Sequence, residues 1–211
     1  MNASFDRGLT GDRFLHREVA ETIPFSSKEI QEILRRFAVP LGFALANKFE
    51  YTIRTCEMAP TPSEKKLCAT PLESMVEFVI STLGTKDLQT LTTATRKGAP
   101  TQLYTVQSWT VVPTPNWMAT ACHVQKYPCT VFNCHGIPQT KPYVLKMVGE
   151  DGTLVEAATL CHLDTSEWSL TFYALRLLKV RPGETTVCHL LPDGDIVWFP
   201  RSATKTADAA I

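Results

Sequence analysis

The chain has 211 residues, 44% of them hydrophobic and 20% charged, with 21 Lys and Arg balanced against 21 Asp and Glu. That composition is ordinary for a globular protein long enough to bury a core. The zero net charge excludes the electrostatic footprint of a nucleic-acid or anionic-membrane binder. No apolar run approaches the roughly 18 residues that a membrane span needs. The opening MNASFDRGLTGDRF lacks the hydrophobic centre of a signal peptide. A chain of the secretory pathway, vacuolar or extracellular, whose signal has been removed is the reading favoured, because the cysteines look structural. One monomeric domain is expected over residues 23–200, preceded by a lead-in over 1–22 and followed by a tail over 201–211.

Residues 1–22 are polar and irregular, with Gly8 and Gly11, and read as a mobile lead-in. Ser26 and Glu29 make a capping box, after which Ile30, Ile33, Leu34 and Phe37 recur at helical spacing until Pro40 ends the run. A shorter helix is expected over Leu41–Phe49. Thr70 as N-cap, Pro71 at the first helical position and Glu73 begin another helix, with Leu72, Met75, Val76, Val79, Ile80 and Leu83 as its apolar stripe. Gly84 suits the left-handed position that closes it.

From about residue 101 the period changes from 3.6 to 2. Strands are predicted over Gln102–Val112, Thr130–His135, Tyr143–Val148, Thr153–Leu163, Leu170–Val180, Thr185–Leu190 and Asp195–Phe199. Asp151-Gly152 is a strong hairpin signal and Asp193-Gly194 a similar one. The fold class is therefore α+β: helices over about 23–100, then a mostly antiparallel β region over about 101–200.

That β region carries four Cys-His dipeptides: Cys122-His123, Cys134-His135, Cys161-His162 and Cys188-His189. Random placement of seven Cys and five His in this length would give about 0.2 such pairs. Adjacent strand residues point to opposite faces, so the two members of a dipeptide cannot easily serve one ion. The arrangement implies a division of labour. Thiols pair on one face and staple the fold, while imidazoles gather on the other around metal, ordered before the ion arrives. Neutral imidazoles suit Zn, Cu, Fe and Ni, with Cu(II) favoured by intrinsic affinity. Four His divided between two ions would leave positions open for water, dioxygen or substrate. The competing readings are a structural zinc module, lowered by the absence of any CxxC pair, and disulfides whose histidines are mere neighbours. Four cysteines allow three pairings.

Outside the dipeptides, Cys56 and Cys68 are 12 apart across a proline-containing loop and suit a local disulfide, which leaves Cys129 over as a buried thiol or an exchange partner of Cys134. His16 reads as a surface residue. Asp164, two beyond His162, is a candidate general base or hydrogen-bond partner of that ring, or equally the cap of the following turn. Trp109, Trp117, Trp168 and Trp198 read as packing residues, of which one could line a substrate cleft.

The spacing CH-x10-CH-x25-CH-x25-CH resembles the signature of the plant BURP domain. The segments TCEMAPTPSEKKLCATPLESMVEFVISTLG, YPCTVFNCH, VGEDGTLVEAATLCHLDTSEW and CHLLPDGDIVWFP carry the likeness, which runs from about Phe14 to Pro200. The resemblance implies a secreted plant protein. Some members are copper-dependent peptide cyclases, which use dioxygen to join a Tyr or Trp side chain of a ribosomal precursor peptide to a carbon elsewhere in that peptide. It further implies that Cys122, Cys134, Cys161 and Cys188 form two disulfides, and that His123, His135, His162 and His189 ligate two copper ions. Many cyclising members carry their core peptides N-terminal to the domain, whereas this chain has no Tyr or Trp through Pro24. Cys129 stands where the family more often has an aromatic residue. The function implied is an oxidative peptide cyclase acting in trans on a Trp- or Tyr-containing precursor. The alternative is a non-catalytic cell-wall or seed-matrix protein.

Overall fold

The computed structural model describes residues 1–4, 14–95 and 99–201. Gly8 and Gly11 of the expected lead-in, and the tail beyond Arg201, lie outside the described residues. The described part of the lead-in is attached to the domain rather than loose. A short strand β1 (Asn2–Ala3) pairs with a later strand, helix α1 spans Arg17–Ala20, and the Phe14 ring stacks on Phe132 at 5.5 Å.

Ser26 starts the next helical stretch as expected. Its hydroxyl accepts the Lys28 N–H at 3.3 Å, and a 3-10 turn over Ser27–Glu29 leads into α2 (Ile30–Arg36). The acidic half of the cap comes from another helix. Glu57, not Glu29, accepts the Ser27 N–H at 2.8 Å and the Ser26 hydroxyl at 3.3 Å. Glu57 ends α3 (Ala44–Glu57), which runs well past the expected 41–49 and delivers Cys56 to its disulfide with Cys68. Phe49 and Ile53 of α3 and Ile33 and Leu34 of α2 share one core cluster, which explains why burial rather than local propensity sets the length of α3. Helix α4 (Leu72–Leu83) buries Met75 and Val79 and ends on left-handed Gly84 at φ 70°. Pro71, not Thr70, holds its N-cap position.

Two five-stranded antiparallel sheets follow. One is ordered β1-β4-β7-β8-β9, with β4 at Gln102–Val111, β7 at Thr140–Gly149, β8 at Leu154–His162 and β9 at Val187–Leu190. The other is β2-β6-β5-β10-β3, with β2 at Lys65–Ala69, β3 at Leu88–Leu91, β5 at Ala119–Gln125, β6 at Val131–Ile137 and β10 at Ile196–Pro200. Asp151-Gly152 makes the β7–β8 hairpin, with Gly152 at φ 82°. Asp193-Gly194 is not a hairpin turn: it carries the chain from β9 in one sheet to β10 in the other. The predicted strand over Leu170–Val180 is instead a connection between the paired strands β8 and β9. It contains helix α5 (Tyr173–Leu178), closed by Lys179 at φ 57°. Its Ala, Leu and Arg residues are strong helix formers, and among the described residues no strand pairs with them to override that preference.

The sheets pack through small side chains. Ala119 and Ala121 of β5 meet Ala158 and Leu160 of β8 in one buried cluster with Leu191, Val197 and Phe199. The alternation of a strand then dictates the rest. Beyond Ala119 and Ala121, the next residue on that inter-sheet face is His123; beyond Ala158 and Leu160 it is His162. The opposite face of β5 and β6 puts Cys122 and Cys134 under α4, against Met75 and Val79.

Candidate metal centre

Cys122 and Cys134 are direct cross-strand partners on β5 and β6 and form a disulfide, with Cα atoms 3.9 Å apart. Cys161 and Cys188 do the same on β8 and β9 at 4.0 Å. The first staple is fully buried; the second faces outward, with Cys188 exposed. In each dipeptide the imidazole emerges on the other side of its strand, so the expected division between thiol and imidazole faces describes the geometry.

The four imidazoles gather at the end of the inter-sheet face. Ring centroids are 5.2 Å apart for His123–His135, 6.2 Å for His135–His162, 5.5 Å for His162–His189 and 5.7 Å for His123–His189, a closed circuit. Within it the nitrogens form two close pairs. His123 Nε2 and His135 Nε2 are 3.1 Å apart, and His162 Nε2 and His189 Nε2 are 3.4 Å apart. Each pair belongs to one sheet.

The partners of the other nitrogens fix the tautomers. His123 Nδ1 lies 2.7 Å from Asp195 Oδ2, and the same carboxylate accepts the Val124 N–H at 3.0 Å through Oδ1. Asp195 is completely buried. His162 Nδ1 lies 3.1 Å from Thr140 Oγ1, whose own proton goes to the Ile137 carbonyl at 2.8 Å, so the hydroxyl accepts from the ring. His189 Nδ1 faces the Leu190 carbonyl at 3.4 Å. His135 Nδ1 faces the Glu64 carboxylate at 3.4 Å, too long for a well-formed hydrogen bond. The Asp195 carboxylate, the Thr140 hydroxyl and the Leu190 carbonyl call for Nδ1–H on His123, His162 and His189. Their Nε2 atoms therefore carry lone pairs, and the His162–His189 pair sets lone pair against lone pair.

That arrangement suits a cation between the nitrogens of each pair. Imidazoles bound to one ion at about 2.0–2.1 Å stand roughly 2.9–3.4 Å apart for angles between square and tetrahedral. The observed pairs fall in that range. Burial, with the neighbouring His189 and His123 adding to it, pushes the His162 pKa down to about 3. Burial chiefly, then the other three imidazoles and Lys66, holds His135 well below its ordinary value. Both rings are thus neutral, as ligation requires. Among the described residues, no group of three or more His, Cys, Asp or Glu is arranged to hold one ion. The residues fit ions bound by two imidazoles each, with the remaining positions left to other donors.

Asp164 does not join the histidines. Its carboxylate accepts the Ser166 N–H at 2.9 Å, the turn-capping alternative. The carboxylate that orients a ring is Asp195, which opens the strand DIVWF; its one signal in the sequence is a charge at the head of an apolar run. Thr140 and Glu64 carried no signal, since both act through register and loop position. Cys56 and Cys68 are joined across 12 residues as expected. Cys129 is a buried free thiol in the helical core, its pKa raised by burial. His16 is exposed at the start of α1. Of the tryptophans, Trp168 meets the site, its ring edge-on to His162 at 5.3 Å and stacked obliquely with Phe172 at 4.6 Å.

A family model for the BURP domain matches residues 1–200. The chain is 41% identical to BURP domain-containing protein 3 of Oryza sativa subsp. japonica over 201 residues, covering 94% of this chain and 47% of that protein. It is 41% identical to BURP domain protein RD22 of Arabidopsis thaliana over 187 residues, covering 88% of this chain and 48% of the relative. It is 41% identical to Protein RAFTIN 1A of Triticum aestivum over 188 residues, again 88% of this chain and 48% of the relative. The chain thus spans about half the length of these curated relatives.

Proposed function

The chain belongs to the BURP domain family, and from that premise we propose that it is a copper-dependent oxidative peptide cyclase acting on a Tyr- or Trp-containing precursor peptide. One observation carries the reading: four imidazoles turn their Nε2 atoms toward one another in two pairs, 3.1 and 3.4 Å apart, at the end of the inter-sheet face. Both separations match those of two imidazoles bound to one ion. Zinc would be satisfied by the same nitrogens, but the disulfides remove the thiolates that structural zinc sites favour.

His123 and His135 would hold one ion, and His162 and His189 the second. Copper there would supply one-electron chemistry with dioxygen, removing two hydrogens from the peptide as the ring closes. The protein's own part is ordering. Asp195 and Thr140 fix two ring orientations, and outer partners of this kind govern both ligand direction and basicity. The staples fix the strand pairs that bear the rings. The protein then holds the two reacting groups of the peptide at bonding distance, the largest rate contribution that positioning can make. Three disulfides fit an oxidising compartment, and secretion or delivery to the vacuole accords with them.

The test is aerobic incubation of copper-loaded protein with a broad set of Tyr- and Trp-containing precursor peptides. A mass loss of two hydrogens is expected. No mass change at full copper occupancy, or occupancy by zinc alone in protein isolated from its source, would overturn the reading in favour of a non-catalytic matrix role.

A further inference from the structure

Asn133 stands beside the first pair of imidazoles. It is the direct cross-strand partner of His123 and lies two residues before His135 on β6. Partners in register, and residues two apart on one strand, share a face of the sheet. Asn133 is therefore on the inter-sheet face with both rings, while Cys134 between Asn133 and His135 turns towards α4. The side chain is half-buried. Its amide oxygen Oδ1 is buried and accepts no hydrogen bond among the described residues.

The polar groups around it are committed elsewhere. Asp195 serves His123 Nδ1 and the Val124 N–H. Lys66, the partner of His135 on β2, donates to the Thr55 and Met58 carbonyls at the end of α3. Glu64 accepts the Thr61 N–H at 3.1 Å and faces His135 Nδ1. The second pair of imidazoles has different neighbours. His162 is in register with Thr140 and Val187, and His189 with Leu160. The Thr140 hydroxyl is already bonded to His162 and to the Ile137 carbonyl; Val187 and Leu160 are apolar.

A buried acceptor with no donor works against folding. A cation is a partner that an amide oxygen can take, as side-chain amides do in other metal sites. We propose that Asn133 Oδ1 is a third donor to the ion held by His123 and His135. This assignment rests on the copper reading of the histidines and not on cyclisation. Two nitrogens and an oxygen suit Cu(II), whereas a hard oxygen adds little for the softer Cu(I). The first centre thereby favours the oxidised ion and differs from the second.

The test isolates the first centre in the full chain carrying His162→Ala. Cu(II) and Cu(I) affinities are read by chelator competition, and the Cu(II) site by electron paramagnetic resonance. Added to that chain, Asn133→Leu should weaken Cu(II) about tenfold and leave Cu(I) unchanged, which raises the reduction potential by about 59 mV. Asn133→Asp keeps an oxygen in place and adds charge, so it should tighten Cu(II) instead. Both changes should shift the copper hyperfine pattern. Without metal, the Asn133→Leu chain should melt no lower than its parent, because Oδ1 has no hydrogen bond to lose. Unchanged Cu(II) affinity and spectrum in Asn133→Leu would overturn the third donor and leave the histidine centre standing. A lower melting temperature of the metal-free Leu variant would give the amide a structural partner and overturn it as well. A His162→Ala chain without copper would overturn the pairing of the rings, and the third donor with it. Precursors that keep their hydrogens while these affinities hold would sink the cyclase alone.

Discussion

Asp195 Oδ2 stands 2.7 Å from His123 Nδ1, although 72 residues separate the two in the chain. The carboxylate is fully buried and divides its oxygens between the ring and the Val124 N–H. Its role is to hold the ring through Nδ1 and so aim His123 Nε2 at His135. Asp195→Asn keeps the shape and removes the charge. We expect copper affinity to fall about ten- to a hundredfold, measured by chelator competition, with the far-ultraviolet spectrum unchanged. An unaltered affinity would show that Asp195 merely leads into β10.

Pairing of the nitrogens makes a stoichiometric prediction. His162→Ala should cut the copper content from about two ions per chain to about one, because His123 and His135 still face each other. Elemental analysis after gel filtration reads this directly. Loss of all copper would mean that the four rings serve a single centre.

Stability should depend on pH in a defined direction. The His162 pKa in the folded chain is about 3, against an ordinary value of 6.5. The unfolded chain therefore binds a proton there that the folded chain refuses. The stability this protects is complete above pH 6.5 and is lost as pH falls from there towards 3, at about 1.4 kcal/mol per unit. His135, lowered in the same sense, adds to the slope. Urea midpoints of metal-free protein at pH 7, 6 and 5 should fall steadily; a flat series contradicts buried neutral rings.

The two staples should differ in access. Cys188 is exposed, whereas Cys122 and Cys134 have no exposed surface. Graded reduction followed by alkylation should label Cys161 and Cys188 first. Replacing that pair by serine opens a loop of 27 residues and should cost about 3–4 kcal/mol, with copper uptake reduced at His162 and His189. Simultaneous labelling of both staples would contradict the exposures.

Gly136 offers a sharper packing test. A Cβ there would lie 2.6 Å from Thr82 Cγ2 and 3.2 Å from Thr120 Oγ1. Gly136→Ala should therefore destabilise by about 1–3 kcal/mol, and Thr82→Ser should recover part of that loss. Calorimetric melting of the single and double variants decides it.

Most of the chemistry was legible because it sat in adjacent residues. Strand alternation alone separates Cys134 from His135 and Cys161 from His162, and the structure keeps that separation. What eluded the sequence was decided at long range. The Ala119–Gln125 strand is poor in β-formers and exists because β6 and β10 flank it. The segment around Tyr173 alternates like a strand but, among the described residues, finds no strand to pair with and turns helical. Asp195 and Asp164 look alike in sequence; only the packing of β10 against β5 brings one of them to an imidazole.

Each staple joins strands of the same sheet, and Cys56–Cys68 likewise does not bridge the two. Among the described residues, the two halves of the histidine circuit are thus clamped internally but not riveted to each other. What sets the gap between the halves is the thickness of the alanine layer at Ala121 and Ala158. The centre is two stapled jaws held apart by a close-packed spacer that cannot absorb added volume. One added methyl group at Ala158, remote from every ligand, would spread the jaws while leaving each bite unchanged.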